Sequence, residues 1–294
     1  MAFFQPLTAY FFNLAFPDDC RLCEKPLSNL SRIPVCPACL ALPKPLQAEF
    51  FCRACRTPFA DDYPLDENDL CTVCREGLAN FDAAYSFGSY EGSLQQLIHL
   101  FKYAKIETLA EPLSRFLLQA LPLESNFDLV MAMPMHWRKR WERGFNQAEL
   151  LAKPVARRYG LPLADNLRRT RYTKSQAGLT ESARRDNLRG SFVVRHPEQV
   201  AGKRILLIDD VFTTGSTLRA AAAVLKAAGT AQVAALTLAR VDRAISTRTA
   251  LKSAAAAWGS GPSNQPAHAD DADAMRSYEA SVLEAGQRGP LEDE

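Results

Sequence analysis

Two adjacent acids followed by hydroxyl residues around one glycine, Asp209-Asp210-Val211-Phe212-Thr213-Thr214-Gly215-Ser216-Thr217, make up the segment richest in chemistry. It follows the apolar run Ile205-Leu206-Leu207-Ile208, which reads as a buried strand. A strand of that kind delivers its carboxylates to its carboxyl end, where open α/β sheets place their ligands. Thr213, Thr214, Gly215, Ser216 and Thr217 then offer backbone N–H groups and hydroxyls at a helix N-terminus, and the helix adds positive partial charge. Such a set suits a phosphate monoester. Carboxylates beside a phosphate repel it unless something lies between them, and a ribose does so. Its hydroxyls donate to Asp209 and Asp210 while its 5′-phosphate occupies the loop. The plainer alternative, a capped helix start, needs only one or two such hydroxyls and no paired acids. No Gly-Lys-Ser/Thr stands at the spacing of a Walker loop.

The second chemical set is cysteine. All eight cysteines lie in four pairs with two residues inside each: Cys20 and Cys23, Cys36 and Cys39, Cys52 and Cys55, Cys71 and Cys74. A pair so spaced is a knuckle that turns two thiolates toward one ion, and two knuckles make a tetrahedral site that Zn²⁺ fits best. Twelve residues separate Cys23 from Cys36 and fifteen separate Cys55 from Cys71, both suited to ribbon-like hairpins. Sequential pairing of the knuckles gives two structural zinc sites; interleaved pairing stays open. A redox role for one pair is the alternative, against which the fourfold repetition argues. A chain of this length does not need disulfide staples, so the cysteines point to a reducing, cytoplasmic setting.

The chain has 294 residues, 47% of them apolar, and a formal net charge of +2. That near-balance leaves affinity for nucleic acid or membrane to local patches. Residues 1–79 form a Cys- and Pro-rich module that opens with Met1–Phe16, an apolar segment too short to span a bilayer and expected to be a helix packed on the body. Residues 80–243 alternate apolar runs with helical stretches, the pattern of an α/β domain with a parallel sheet flanked by helices. Strands are expected at Ala83–Phe87, Asp128–Met133, Arg204–Ile208 and Gln232–Ala239. Helices are expected at Ser93–Tyr103, Leu109–Leu121, Asn146–Tyr159 and Ser216–Ala228, with Pro154 bending or splitting the third. Residues 244–294 are rich in Ala, Ser, Gly, Pro and Asp and are expected to be a disordered tail. No stretch is long and apolar enough for a transmembrane helix.

The segment from Ile205 to Thr217 closely resembles the signature of type I phosphoribosyltransferases, which bind phosphoribosyl pyrophosphate (PRPP) with Mg²⁺. Together with Leu97-Ile98-His99-Leu100-Phe101-Lys102-Tyr103, Arg143-Gly144-Phe145-Asn146-Gln147-Ala148 and Gln176-Ala177-Gly178-Leu179 through Arg184, the chain resembles the ComF family, the ComFC and GntX proteins linked to DNA uptake and use. The resemblance implies a phosphoribosyl transfer in which Asp209 and Asp210 are the catalytic pair that holds the ribose. It also implies a pyrophosphate loop within Pro134–Gly144, with Arg143 the first choice, Arg138 beside it and Lys102 a further phosphate contact. Arg168–Arg189, with Gln176 and Arg184, corresponds to a flexible hood that closes over the site. Thr213 stands where 6-oxopurine salvage enzymes carry an aspartate that handles the base, which argues against hypoxanthine or guanine as acceptor.

A second reading is a binding module rather than an enzyme. Trp137 and Trp141 interleave with Arg138, Lys139 and Arg140, which places stacking surfaces beside cations, as single-stranded nucleic acid requires. In that reading the zinc module docks DNA or a DNA-uptake or helicase partner.

Overall fold

The computed structural model describes residues 19–27, 32–59, 62, 65–122, 126–170 and 190–241. The expected N-terminal helix, the hood residues Gln176 and Arg184 and the expected tail lie outside the described residues. In the cysteine-rich stretch are two one-turn helices, α1 (Pro37–Leu40) and α2 (Thr72–Arg75), and a small antiparallel ribbon of β1 (Phe50–Phe51) with β2 (Pro58–Phe59).

The remainder is a parallel sheet covered on both faces. Its strands are β3 (Ala83–Ser89), β4 (Leu129–Ala132), β5 (Leu163–Ala164), β8 (Arg204–Phe212) and β9 (Gln232–Arg240), ordered β3-β9-β8-β4-β5, and every neighbouring pair is parallel. In a separate two-stranded sheet, β6 (Leu167–Arg169) pairs antiparallel with β7 (Phe192–Val194). Among the described residues the longer α-helices are α3 (Gly92–Lys102), α4 (Ala110–Ala120), α5 (Trp137–Arg143), α6 (Gln147–Tyr159) and α7 (Ser216–Ala227).

Burial on both faces is why the centre of β8 reads as unbroken aliphatics instead of alternating. Leu206 and Ile208 join Leu97, Leu113 and Leu151 from α3, α4 and α6 in one apolar layer. Ile205 and Leu207 join Leu218, Ala221 and Leu225 of α7 in the other. The cysteine-rich region divides between these layers: Cys20 and Cys39 lie with Phe87 and Leu94, whereas Cys52, Cys55 and Cys71 lie with Phe81 and Phe212. Its connecting chain also runs beside β3, the edge strand. Leu46 N donates to Phe87 O at 2.6 Å and Ala84 N donates to Ala54 O at 2.9 Å, so part of the open edge is covered.

Two local expectations are corrected. β8 does not end at Ile208 but continues to Phe212, because Asp209, Val211 and Phe212 stay in register with Thr237, Ala239 and Arg240 of β9. Of the bend or split expected at Pro154, the split does not occur: α6 runs from Gln147 to Tyr159 with Pro154 inside and ends at the left-handed Gly160. Leu151, Ala152, Val155 and Ala156 are all buried around that proline. Their packing outweighs the roughly 3 kcal/mol that an interior proline costs.

Candidate functional site

From β4 the chain crosses by way of α6 to β5, toward one edge of the sheet; from β8 it crosses by way of α7 to β9, toward the other. The carboxyl ends of these two adjacent strands, Ala132 opposite Ile208, are therefore where the winding direction reverses and a crevice opens. A cleft of about 190 Å³ lies there. Lys102, Lys139, Arg143, Arg169, Asp209, Asp210 and Thr217 line it, over a floor that includes Met133, Pro134 and Asn146.

Asp209 and Asp210 are half-buried near the carboxyl end of β8. Asp209 Oδ1 accepts a hydrogen bond from the Asp210 amide at 2.9 Å. Burial, with the charge of Asp210 added, pushes the Asp209 carboxyl up to about 7, against the opposing pull of that amide, Lys102 and Arg169. Lys102, expected as a phosphate contact, lines the cleft and is paired there with Asp210. Burial works against its ammonium, but the charge and hydrogen bond of Asp210 outweigh it and hold its pKa above that of an ordinary lysine.

Beyond the acids the chain turns at Gly215, whose φ of +71° is left-handed. Thr213 is exposed, Gly215 and Ser216 are buried, and Thr217 is the member of the hydroxyl run that lines the cleft. Thr214 Oγ1 and Ser216 Oγ are hydrogen-bonded at 2.7 Å. The N-cap of α7, Gly215, supplies no side-chain bond to the helix amides, and Thr214 Oγ1 accepts from Ser216 N at 3.4 Å, so the amides that follow Ser216 in the first turn are the ones suited to an anion.

The expected basic loop is largely a helix. His136 caps α5 by accepting from Arg138 N at 3.3 Å, and left-handed Gly144 ends it. Helical periodicity then sorts the cations: Lys139 and Arg143, four residues apart, share the face that lines the cleft. Arg138 does not; its guanidinium lies over the Trp137 ring, 5.2 Å from the centroid. Arg143 is held by the Tyr103 ring at 5.6 Å and by a 3.4 Å hydrogen bond to Gln147 Oε1. Burial, then the charges of Arg169 and Arg143, lower the pKa of Lys139. Burial also lowers that of Arg169, against the attraction of Asp209. Cations this close to one another favour an anion between them.

The cysteines assemble in sequence order. Cys20, Cys23, Cys36 and Cys39 form one cluster and Cys52, Cys55, Cys71 and Cys74 another, with the four sulfurs of each within 4.8 Å of one another. None is in a disulfide. In each module the second knuckle opens a short helix, α1 after Cys36 and α2 after Cys71. Backbone amides already point at sulfur, Cys36 N to Cys20 Sγ at 3.3 Å and Cys71 N to Cys52 Sγ at 3.4 Å, as they would at thiolates. Both clusters fit a tetrahedral Zn²⁺ with no position open for catalysis.

Residues 146–255 match the family model described as "Phosphoribosyl transferase domain". The chain is 32% identical over 230 residues to "DNA utilization protein YhgH" of Salmonella typhi, across 75% of this chain and 96% of that one. It is 29% identical over 178 residues to "Competence protein F" of Haemophilus influenzae, across 58% and 78%. The chain belongs to the ComF family. Among solved structures, the glutamine PRPP amidotransferase of B. subtilis aligns at 21% identity with a TM-score of 0.32, across 44% of this chain and 26% of that one.

For this ComF chain, sequence reasoning named Asp209, Asp210, Arg143 and Lys102, and the fold brings all four into one cleft. It did not single out Arg169, although that residue sits in the basic stretch already marked, nor did it set Lys139 above Arg138. The signal for Lys139 was available: of two adjacent cations, the one four residues before Arg143 shares its helical face.

Proposed function

We propose that this protein binds PRPP with Mg²⁺ at the carboxyl ends of β4 and β8 and transfers its phosphoribosyl group to an acceptor. The observation that carries this reading is the placement of paired acids and of Thr217, in the first turn of α7, in one cleft that Lys139, Arg143 and Arg169 also line. Asp209 and Asp210 take the ribose hydroxyls, the Thr213–Thr217 turn takes the 5′-phosphate, and the three cations take the pyrophosphate. Bound Mg²⁺ would share the charge of the pyrophosphate oxygens. The bond from the anomeric carbon to pyrophosphate breaks, its electron pair leaves with pyrophosphate, and the acceptor bonds to that carbon. Positive charge develops on the ribose, so the residues act mainly by positioning and by matching charge. A groove of about 670 Å³ shares Pro134, Met135, Asn146 and Arg169 with the cleft and gives the acceptor a place beside it. The module of residues 1–79 serves as a zinc-held support for the domain of residues 80–243.

Titration calorimetry with Mg-PRPP tests this: wild type binds, and the Asp209→Asn, Asp210→Asn double variant does not while keeping its fold. Retained binding in that variant would sink the assignment. Pyrophosphate release across bases and oligonucleotides then separates a transferase from a binding protein.

One observation favours a second role on single strands. Trp137 and Trp141 are 65% and 86% exposed and, with Arg140, border a shallow depression of about 510 Å³. Stacking on such rings beside cations suits unpaired bases, and it agrees with relatives named for DNA utilization and competence. The setting for this role is the cytoplasm, with a DNA-uptake or helicase partner; no described helix is long and apolar enough to cross a membrane. Replacing Arg138, Lys139 and Arg140 with alanine removes strand binding on this reading; affinity that survives places the strand elsewhere.

A further inference from the structure

Arg240, the last residue of β9, is 2% exposed, and its contacts run in two directions. Toward the second cysteine cluster, Nη1 donates to Cys55 O at 2.7 Å and Nη2 donates to Thr57 Oγ1 at 2.5 Å. Because Thr57 Oγ1 accepts from the guanidinium, its own proton is available to Cys55 Sγ, 2.9 Å away. Toward β8, the guanidinium lies 4.8 Å from the centroid of the Phe212 ring. That ring in turn fills the space beside Gly215, where an added Cβ would stand 2.6 Å from Phe212 Cζ. Gly215 is the N-cap of α7. An unbroken line of contacts therefore joins a cluster sulfur, through Thr57, Arg240 and Phe212, to the turn that begins the helix.

The electrostatics agree with the geometry. A guanidinium this buried is costly without negative charge nearby. Four thiolates around one divalent cation leave a net charge of −2, and Arg240 holds both a ligand's carbonyl and the hydroxyl that faces its sulfur. Partners beyond the ligands commonly fix the orientation of a metal site. Among the described residues the first cluster shows no such route. Its buried Cys20 and Cys39 belong to the apolar layer on the opposite face of the sheet from Phe212 and α7.

We infer that Arg240 is a positioning residue that couples the second cysteine cluster, and not the first, to the turn at Gly215. Metal held by Cys52, Cys55, Cys71 and Cys74 orients Arg240, Arg240 fixes the Phe212 ring, and the ring sets the backbone from which the α7 amides project. The consequence for phosphate binding rests on the reading of Thr213–Thr217 given above; the order of the turn itself does not.

The test uses the full chain loaded with zinc and measures amide hydrogen exchange in peptides covering 212–217, with β4 and α6 peptides as internal references. Arg240→Met accelerates exchange at 212–217 by about 10- to 100-fold, the change expected when hydrogen bonds to a charged group no longer help to hold a local unit closed, while the reference peptides are unchanged. Thr57→Val produces a smaller acceleration in the same place and decides the matter should Arg240→Met fail to fold. Cys23→Ser, which disables the first cluster, leaves 212–217 as in wild type. Unchanged exchange there in folded Arg240→Met or in Thr57→Val overturns the coupling, as does equal acceleration by Cys23→Ser. Calorimetry with Mg-PRPP runs alongside: a wild type that does not bind refutes the proposed function, and the exchange comparison still decides the coupling.

Discussion

Lys102 Nζ lies 2.9 Å from Asp210 Oδ2, an ion pair that ties the end of α3 to β8 with side chains only 12% and 16% exposed. It also gives one of two adjacent carboxylates a positive partner. Lys102→Met leaves Asp210 beside Asp209 with less neutralisation, and the expected loss of stability is about 1–3 kcal/mol. Asp210→Asn in the same protein removes the unmatched charge and restores part of the loss. Urea unfolding of the four proteins of this cycle checks the coupling; strict additivity would mean that the pair contributes nothing.

Asp209 gives the site a pH dependence near neutrality. Its carboxyl titrates at about 7 in the fold, through burial first and the Asp210 charge second, against 3.8 for an ordinary aspartate. Between those values the folded state holds the proton that the unfolded state has lost, so this group's contribution to stability declines as pH rises through the window. Asp209→Asn removes that slope. Ribose hydroxyls need an ionised acceptor, so Mg-PRPP affinity should climb as pH passes upward through about 7. Calorimetry on both sides of neutrality checks this. An affinity that falls with rising pH would place the proton elsewhere.

The cations divide by helical face. Arg143→Ala, Lys139→Ala and Arg169→Ala each weaken Mg-PRPP binding by about tenfold, the loss expected for a charge-assisted contact. Arg138→Ala leaves PRPP affinity unchanged, because its guanidinium covers Trp137 and does not line the cleft. Calorimetry at two salt concentrations checks the ranking. A loss at Arg138 as large as at Arg143 would contradict the assignment of faces.

Much of this was legible where one rule fixed the outcome. Aliphatics from Ile205 to Ile208, closed off by acids and turn residues, suit a short strand covered on both faces, and Cys-x-x-Cys knuckles can close only on a metal or on each other. Interleaved knuckles were ruled out by the fold, which sends the two clusters into opposite apolar layers. What stayed hidden depended on partners distant in sequence. β8 continued through its acids because β9 offered Thr237, Ala239 and Arg240 in register. Lys102 met Asp210, and Arg240 met Cys55, across separations that local periodicity does not encode. Pro154 was tolerated because buried neighbours held the turn.

Gly215 joins the strand of acids to the helix, and two separate constraints require glycine there. Its φ is +71°, and a Cβ would stand 2.6 Å from Phe212 Cζ. Gly215→Ala therefore meets backbone strain and a steric clash together, for an expected loss of about 1–3 kcal/mol in stability. The clash acts on the turn itself, so Mg-PRPP affinity falls as well. Phe212→Leu shortens the opposing side chain, and the Phe212→Leu, Gly215→Ala double variant should recover the steric part of the loss while the strain from positive φ persists. Thermal unfolding of the three variants separates the two. A double variant no more stable than Gly215→Ala would show that backbone conformation alone makes this glycine necessary.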